Sequence, residues 1–311
     1  MSPSPDSALH RFAVPAAFVG LAGVWGSSFL WIKIAVDELP AATVAAQRIT
    51  IGALVMGTFM LARRLPFPRS RSELIPLAVI GLLNAAIPYA LIPWGEQVVD
   101  SGTASVLNAL TPIFSLLIAG LLLRAEPITV LRVAGVVLGF VGAALLAARE
   151  LDLRSHPVAL LGAGAVALAA LSYAVAASFA RHSLRVSNPF AVAAGTLLFG
   201  AIFSWPVALV ADGLVRPTQP DTIFSLLWLG IPGAFVAHLL YFFLIRELGA
   251  TVASMVTYVF PVVGVSLGVI FLDERLDVGL VIGTVLVVAG IAVAGLRYDR
   301  GVRPAVGGRH A

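Results

Sequence analysis

Apolar residues run through this chain in long blocks, and the charged positions that separate them recur at near-regular intervals. The longest stretches free of Asp, Glu, Lys and Arg are Phe12–Ile32, Leu74–Gly95, Ser101–Leu123, Val133–Ala148, Ser155–Ala180, Val186–Ala211, Thr222–Ile245, Leu248–Leu272 and Val278–Leu296. A tenth apolar block, Pro40–Ala62, is interrupted by Arg48. A helix needs roughly 20 apolar residues to cross a bilayer, and nine of the ten blocks are near or above that length. Val133–Ala148 reaches it if the helix starts near Ile128 and takes in Arg132. The pattern predicts ten transmembrane helices. Buried helices of a soluble protein would need polar outer helices, and a membrane barrel would need ten-residue alternating segments; neither is seen. The first block continues through Trp25 to about Val36 with no small-residue cleavage site, so it reads as a span and not a signal peptide.

Composition agrees. Hydrophobic types make up 59% of the 311 residues and charged types 12%, where a soluble domain is nearer half apolar and a quarter charged. Ten spans with short loops use most of the chain. An ordinary soluble globule, a disordered tail and a nucleic-acid-binding domain are excluded. The net charge of +4 fits basic residues flanking cytosolic span ends better than a nucleic-acid partner. Cys is absent, so disulfide, thiol and Cys-ligated metal chemistry are absent too.

The arginines orient the spans. The tails and loops 2–3, 4–5, 6–7 and 8–9 carry Arg11, Arg63, Arg64, Arg69, Arg71, Arg124, Arg132, Arg181, Arg185, Arg246, Arg297, Arg300, Arg303 and Arg309, which is 14. The opposite side has four: Arg149, Arg154, Arg216 and Arg275. This asymmetry predicts cytoplasmic termini and an even span count.

The chain also repeats itself. Residues 101–147 and 248–295 share an order of landmarks: Pro112 with Pro261, Glu126 with Glu274, Gly135 with Gly283, Gly142 with Gly290, at an offset of 148 or 149 residues. Each half then holds five spans, an odd number, so the second half enters the membrane inverted. Inverted repeats with a site between them are the architecture of many secondary transporters. The two Pro-to-Glu-to-Gly repeats resemble the EamA repeat of the drug/metabolite transporter superfamily. The opening Trp25-Gly26-Ser27-Ser28-Phe29 with Lys33, and the single Arg48 near the start of span 2, resemble the same family. The resemblance covers about 15–297 and is uninformative about substrate. It implies a ten-helix inverted-repeat exporter or permease with a cavity lined mainly by spans 1, 3, 4, 6, 8 and 9. The expected organisation is a first five-helix repeat over 12–148, an inverted second repeat over 155–297 and a basic cytosolic tail over 298–311.

Charges within or beside the spans are candidate coupling or pathway groups. Arg48 lies about eight residues into span 2. It reads either as a ligand or helix-positioning cation, or as a side chain snorkelling to the external side. Lys33 reads as snorkelling, or as lining an external vestibule with Asp37 or Glu38. Glu96 is the most plausible acid on a pathway, against a solvated loop edge. Glu126 and Glu274 close spans 4 and 9 and are expected to be structural, capping the next helix's N-terminus. Pro112 and Pro261 predict matched bends in spans 4 and 9, as hinges or static kinks.

Uncharged polar residues inside spans avoid lipid. Ser27, Ser28, Asn84, Tyr89, Asn108, Tyr173, His238, Tyr241 and Tyr258 are therefore candidate substrate-binding residues, some of them interhelical hydrogen-bonding groups instead. Trp94 reads as a pathway residue or an interfacial anchor. His238 and Tyr241, three apart, share a helix face, and His238 could carry protons. Gly264-Val265-Ser266-Leu267-Gly268 fits a hydrolase elbow, but lies mid-span without the strand–turn–helix context and reads as a helix-packing motif. There is no Walker A loop, metal-site cluster or cofactor motif. The sequence reads as an exporter of small metabolites, amino acids or amphiphilic drugs in the inner membrane, not an enzyme. Its partners would be a small solute and the bilayer, with no nucleic acid and a plausible monomer. The other class it leaves open is a non-transporting membrane scaffold or an intramembrane enzyme.

Overall fold

The computed structural model describes residues 5–118, 120, 129–154, 157–183, 188–248 and 253–295. Among these residues every regular element is a helix. Helices α1 (Pro5–Gly26) and α2 (Ser28–Glu38) continue one another, and α3 (Ala41–Ala62) follows. A π-helical turn, Leu82–Ala86, joins α4 (Arg71–Gly81) to α5 (Ile87–Glu96). A short break separates α6 (Ser101–Asn108) from α7 (Thr111–Leu117). Helices α8 (Val130–Arg154), α9 (Val158–Ser183) and α10 (Pro189–Ala211) are unbroken. A second π-helical segment, Ile231–Val236, joins α11 (Pro220–Gly230) to α12 (Ala237–Leu248). A 3₁₀ turn, Ser254–Tyr258, precedes α13 (Phe260–Phe271), and α14 (Val278–Gly295) is last.

Eight of these segments are long and apolar enough to cross a bilayer: Phe12–Glu38, Ala41–Ala62, Arg71–Glu96, Val130–Asp152, Val158–Ser183, Pro189–Ala211, Pro220–Leu248 and Val278–Gly295. The two others, Ser101–Leu117 and Met255–Phe271, are shorter. They stand where the sequence predicts spans 4 and 9, so full-length crossings are found at eight of the ten expected places. Both short segments are interrupted beside the repeat prolines. Proline has no N–H for the carbonyl four residues back. At Pro112 that carbonyl belongs to Asn108, and the Thr111 hydroxyl donates to it instead at 2.8 Å. The short Val133–Ala148 block belongs to the longer α8, which takes in Arg132 as well as Arg149.

The π-helical segments fall at matching places, since Leu82 and Ile231 are 149 residues apart, the offset of the repeats. A wide turn frees backbone carbonyls that need donors in a dry interior. The Ser172 hydroxyl donates to Leu83 O at 2.7 Å, and the Trp25 indole donates to Gly233 O at 3.1 Å. Each wide turn is therefore served by a helix of the opposite half. Helix pairing follows the same exchange. The pairs α1–α12, α2–α11, α5–α9, α3–α10, α6–α13 and α8–α14 each join one half to the other. Swapping the halves turns the pairing of spans 1 and 8 into that of spans 6 and 3, and maps the rest onto themselves.

Glycines permit the closest of these approaches. A Cβ on Gly142 would lie 2.8 Å from the Gly283 carbonyl, and one on Gly290 would lie 2.5 Å from the Gly139 nitrogen. Helices α8 and α14 thus meet backbone to backbone. Large apolar side chains such as Phe12, Val210 and Phe271 face outward, as a hydrocarbon solvent allows.

Candidate functional site

Charged residues gather at the end of the bundle opposite the arginine-rich loops. Two residues beyond the end of α13, the left-handed backbone of Asp273 (φ 53°) turns the chain so that the Glu274 N–H returns to Gly268 O at 3.2 Å. That turn aims the Glu274 carboxylate across the repeat boundary. It accepts from the N–H groups of Ser101 (2.6 Å) and Gly102 (2.9 Å), capping α6. Gly102 and Gly268 leave room for it, since a Cβ on either would contact the carboxylate. The cap expected of Glu274 on the next helix is instead made by Asp277, whose carboxylate accepts from Leu280 N–H at 2.8 Å. The chain reversal at Asp273 points Glu274 away from α14, which is the physical reason for the exchange. Glu126 lies outside the described residues.

Arg149 is the hub of this end. Its side chain is 5% exposed and pairs with Asp277 (2.7 Å), Glu150 (2.8 Å) and Asp100 (3.2 Å). It also donates to Arg275 O at 2.7 Å. Glu150 in turn accepts from the Thr103 hydroxyl at 2.6 Å and from Asp100 N–H at 3.2 Å. Three chain segments are tied through one guanidinium, and the fork geometry of Arg suits that task. Burial raises the Asp277 carboxyl, but the Leu280 N–H and Arg149 together hold it below its ordinary value. Arg149 counts among loop residues by sequence, and the only signal was an Arg–Glu pair at a span end.

Lys33 does not snorkel. Its ammonium turns inward and donates to the backbone carbonyls of Glu96 and Val99, the latter at 2.9 Å. Those carbonyls close α5, where a cation complements the helix dipole. Glu96 is not a solvated edge: it is 0% exposed, and neither carboxyl oxygen has a hydrogen-bond partner. Lys33, Arg48 and Glu274 all lie within electrostatic reach of it.

Deeper in the bundle, Arg48 is 4% exposed and places its guanidinium carbon 4.1 Å above the Tyr89 ring. It therefore packs inward, onto an aromatic face, and does not run to the membrane surface. Tyr173 of α9 lies within electrostatic reach of both. Asn108 on α6 is buried, and its side-chain carbonyl has no partner.

A second group lies between α1, α12 and α13. The Trp25 ring stands 5.4 Å from Tyr241 and 5.9 Å from Phe260, centre to centre. His238 turns Nδ1 back to Ala234 O, four residues earlier in the second π-helical segment, and packs on Phe242. Ser27 and Ser28 both donate to Val24 O at 3.1 Å, and Ser27 also accepts from the Trp228 indole at 3.2 Å. Such back-bonding bends a helix, and the α1–α2 junction falls there. Tyr258 packs on the central core together with Tyr173, and Asn84 sits half-buried in the first π turn. Trp94 is 41% exposed.

Several of the predicted polar residues thus fall into two neighbourhoods: Arg48, Tyr89, Tyr173 and Glu96 in one, and His238 and Tyr241 in the other, beside Trp25. None of them lines the apolar cleft of about 230 Å³ formed by α3, α5 and α10 with Ala45, Ala86, Ala90 and Phe203. Two acid caps escaped the sequence. Asp212 accepts from the N–H and hydroxyl of Thr43, at 3.0 and 2.9 Å, and Glu38 accepts from the N–H and hydroxyl of Thr218, both at 2.6 Å. Each joins the first half to the second. The Gly264–Gly268 motif is helical and packs on α6, where a Cβ at Gly264 would collide with Ser105. Among the described residues no group of three or more His, Asp and Glu side chains is arranged to hold a metal ion.

Helices of this length and apolarity, with charges kept to loops, helix ends and a few buried positions, define a multi-pass membrane protein. The chain belongs to the EamA-like transporter family, which it matches over residues 14–148 and again over 160–296. It is 24% identical to the uncharacterized transporter YoaV of Bacillus subtilis over 278 residues, 89% of this chain and 94% of that protein. It is 27% identical over 250 residues to the inner membrane transporter YedA of Escherichia coli, covering 79% of this chain and 78% of that protein. A protein named as a probable terminal-alkyne amino-acid exporter, from Streptantibioticus cattleyicolor, is 25% identical over 88% of this chain and 90% of its own length. A crystal structure with 22% identity shares the fold, with a TM-score of 0.64 over 91% of this chain and 97% of the other.

Proposed function

We propose that this protein is a secondary transporter that moves a small organic solute across the inner membrane, in the export direction. The solute class is that of small metabolites, amino acids and amphiphilic drugs; the terminal-alkyne amino-acid exporter among its relatives supports that range. In this reading ten helices form two inverted repeats, about 12–148 and 155–297, and both termini and the basic tail are cytoplasmic. The pathway runs between the repeats past Arg48, Tyr89, Asn108 and Tyr173, and on past Tyr241, His238 and Tyr258. Ser27, Ser28 and Asn84 flank it, and Lys33, Glu96, Pro112, Pro261 and Glu274 hold the surrounding ends. No enzymatic step is assigned.

One observation supports this most: the π-helical turns at Leu82–Ala86 and Ile231–Val236, each held by a donor from the opposite half. Equivalent irregular turns give each repeat a bend at the same point of its own sequence, so that two arrangements related by exchange of the halves have similar energies. Rocking between such arrangements moves a central site from one face to the other. Liposomes carrying the purified protein test it. Saturable flux of at least one solute from a broad metabolite and drug panel is expected. Folded protein that carries none would exclude transport.

A further inference from the structure

Arg48 lies well inside span 2, 4% exposed, and its Nε has no hydrogen-bond partner. Tyr89 covers one face of the guanidinium at 4.1 Å. A ring face attracts a cation but cannot accept the in-plane hydrogen bonds of a guanidinium, which match a carboxylate. An intramembrane cation without a counter-ion is costly and marks a functional position by default. The acids nearby do not supply the partner. The Glu274 carboxylate is held by the N–H groups of Ser101 and Gly102. Glu96, seven residues beyond Tyr89 and so two turns away on the same helix face, acts on Arg48 through space. Among the described residues it makes no ion pair with it, although both are buried. Lys33 is engaged with the carbonyls of Glu96 and Val99. Apolar cores adjoin the site on both sides: Tyr89 packs on the cluster that holds Ile49 and Ala85, and Tyr173 on the one that holds Val166 and Ala170.

We propose that the counter-ion of Arg48 is the carboxylate of the transported molecule, and that the solute is a monocarboxylate with an apolar body. Lys33, the other cation of this neighbourhood, is taken up by backbone carbonyls, so Arg48 offers a single positive charge, which suits a monoanion better than a dianion such as phosphate. Tyr89 orients the guanidinium so that its edge, and not its face, meets the ligand. This rests on the transport reading and narrows it, since uncharged drugs would leave Arg48 unpaired.

Thermal unfolding of the purified protein tests the assignment without any flux. The probes are 4-methylpentanoate and phenylacetate, their isosteric amides, and inorganic phosphate. A ligand that binds the folded form alone raises the melting temperature. Both carboxylates are expected to raise it, with the amides and phosphate giving no shift. Arg48→Gln should weaken carboxylate binding by roughly tenfold or more, the scale of a lost charged hydrogen bond. Arg48→Lys, which keeps the charge without the fork, should retain part of the shift. Amides that match the acids, an unaltered shift in Arg48→Gln, or no shift with either carboxylate would overturn the proposal. The wild-type comparison of acid and amide stands even if a variant misfolds. Flux of an uncharged solute without carboxylate binding would sink this site and leave transport intact. Carboxylate binding without flux of any solute would do the reverse.

Discussion

At the scale of single residues, opposite ends of the same chemistry recur: an acid from one half caps a helix of the other. Glu38, Asp212 and Glu274 each do so. A carboxylate at a helix N-terminus satisfies N–H groups that have no partner within the helix and complements its dipole. Glu274→Gln keeps the shape and removes the charge. It should lower stability by about 1.5–3 kcal/mol, the range for hydrogen bonds to charged groups, read from chemical or thermal unfolding in detergent. Asp277 gives a pH signature. Its folded-state carboxyl lies below the ordinary aspartate value. Its contribution is therefore present above that value and lost as pH falls through the lower, folded one. Asp277→Asn should melt at a lower temperature than wild type at pH 7, and the difference should shrink below about pH 4. A difference that persists unchanged in acid would refute the assignment.

At the scale of elements, span positions were legible because block length and charge placement are properties of sequence alone. The repeat was legible because Pro112 and Pro261, with their glycines, keep their order. The direction of side chains was not. Lys33 looked like a snorkelling group until the carbonyls ending α5 were seen to lie beside it. Glu274 looked like a cap for the following helix, but one left-handed residue redirected it. Arg149 looked like a loop charge, and only the meeting of α6, α8 and the turn before α14 made it a hub. These are long-range contacts, and no local pattern encodes them. The glycines of α8 and α14 carry an elemental test. Gly142→Val would drive a side chain against Gly283 O and Val287 N, both 2.8 Å from the Cβ position. Backbone cannot retreat as a side chain can, so a loss of about 1–3 kcal/mol or more is expected, the range for overpacking. Gly164 on α9 has no atom within 4 Å of its Cβ position. Gly164→Ala should be neutral or stabilising by up to about 1 kcal/mol.

At the scale of the molecule, the most extensive helix pairs among the described residues join the two halves, and the pairing survives their exchange. The family resemblance visible in the sequence and the match over both repeats agree on the class of protein. The candidate site was less legible, because polar residues chosen for their depth in a span divide between two neighbourhoods and several serve their own backbone. The central claim is that a site between the halves opens to each face in turn. The absence of cysteine makes one measurement direct. Tyr173→Cys, in oriented membrane vesicles, is exposed to a membrane-impermeant thiol reagent from one face and then from the other. The account predicts labelling from both faces, slowed by a transported solute. Labelling from one face alone, unaffected by solute, would contradict it.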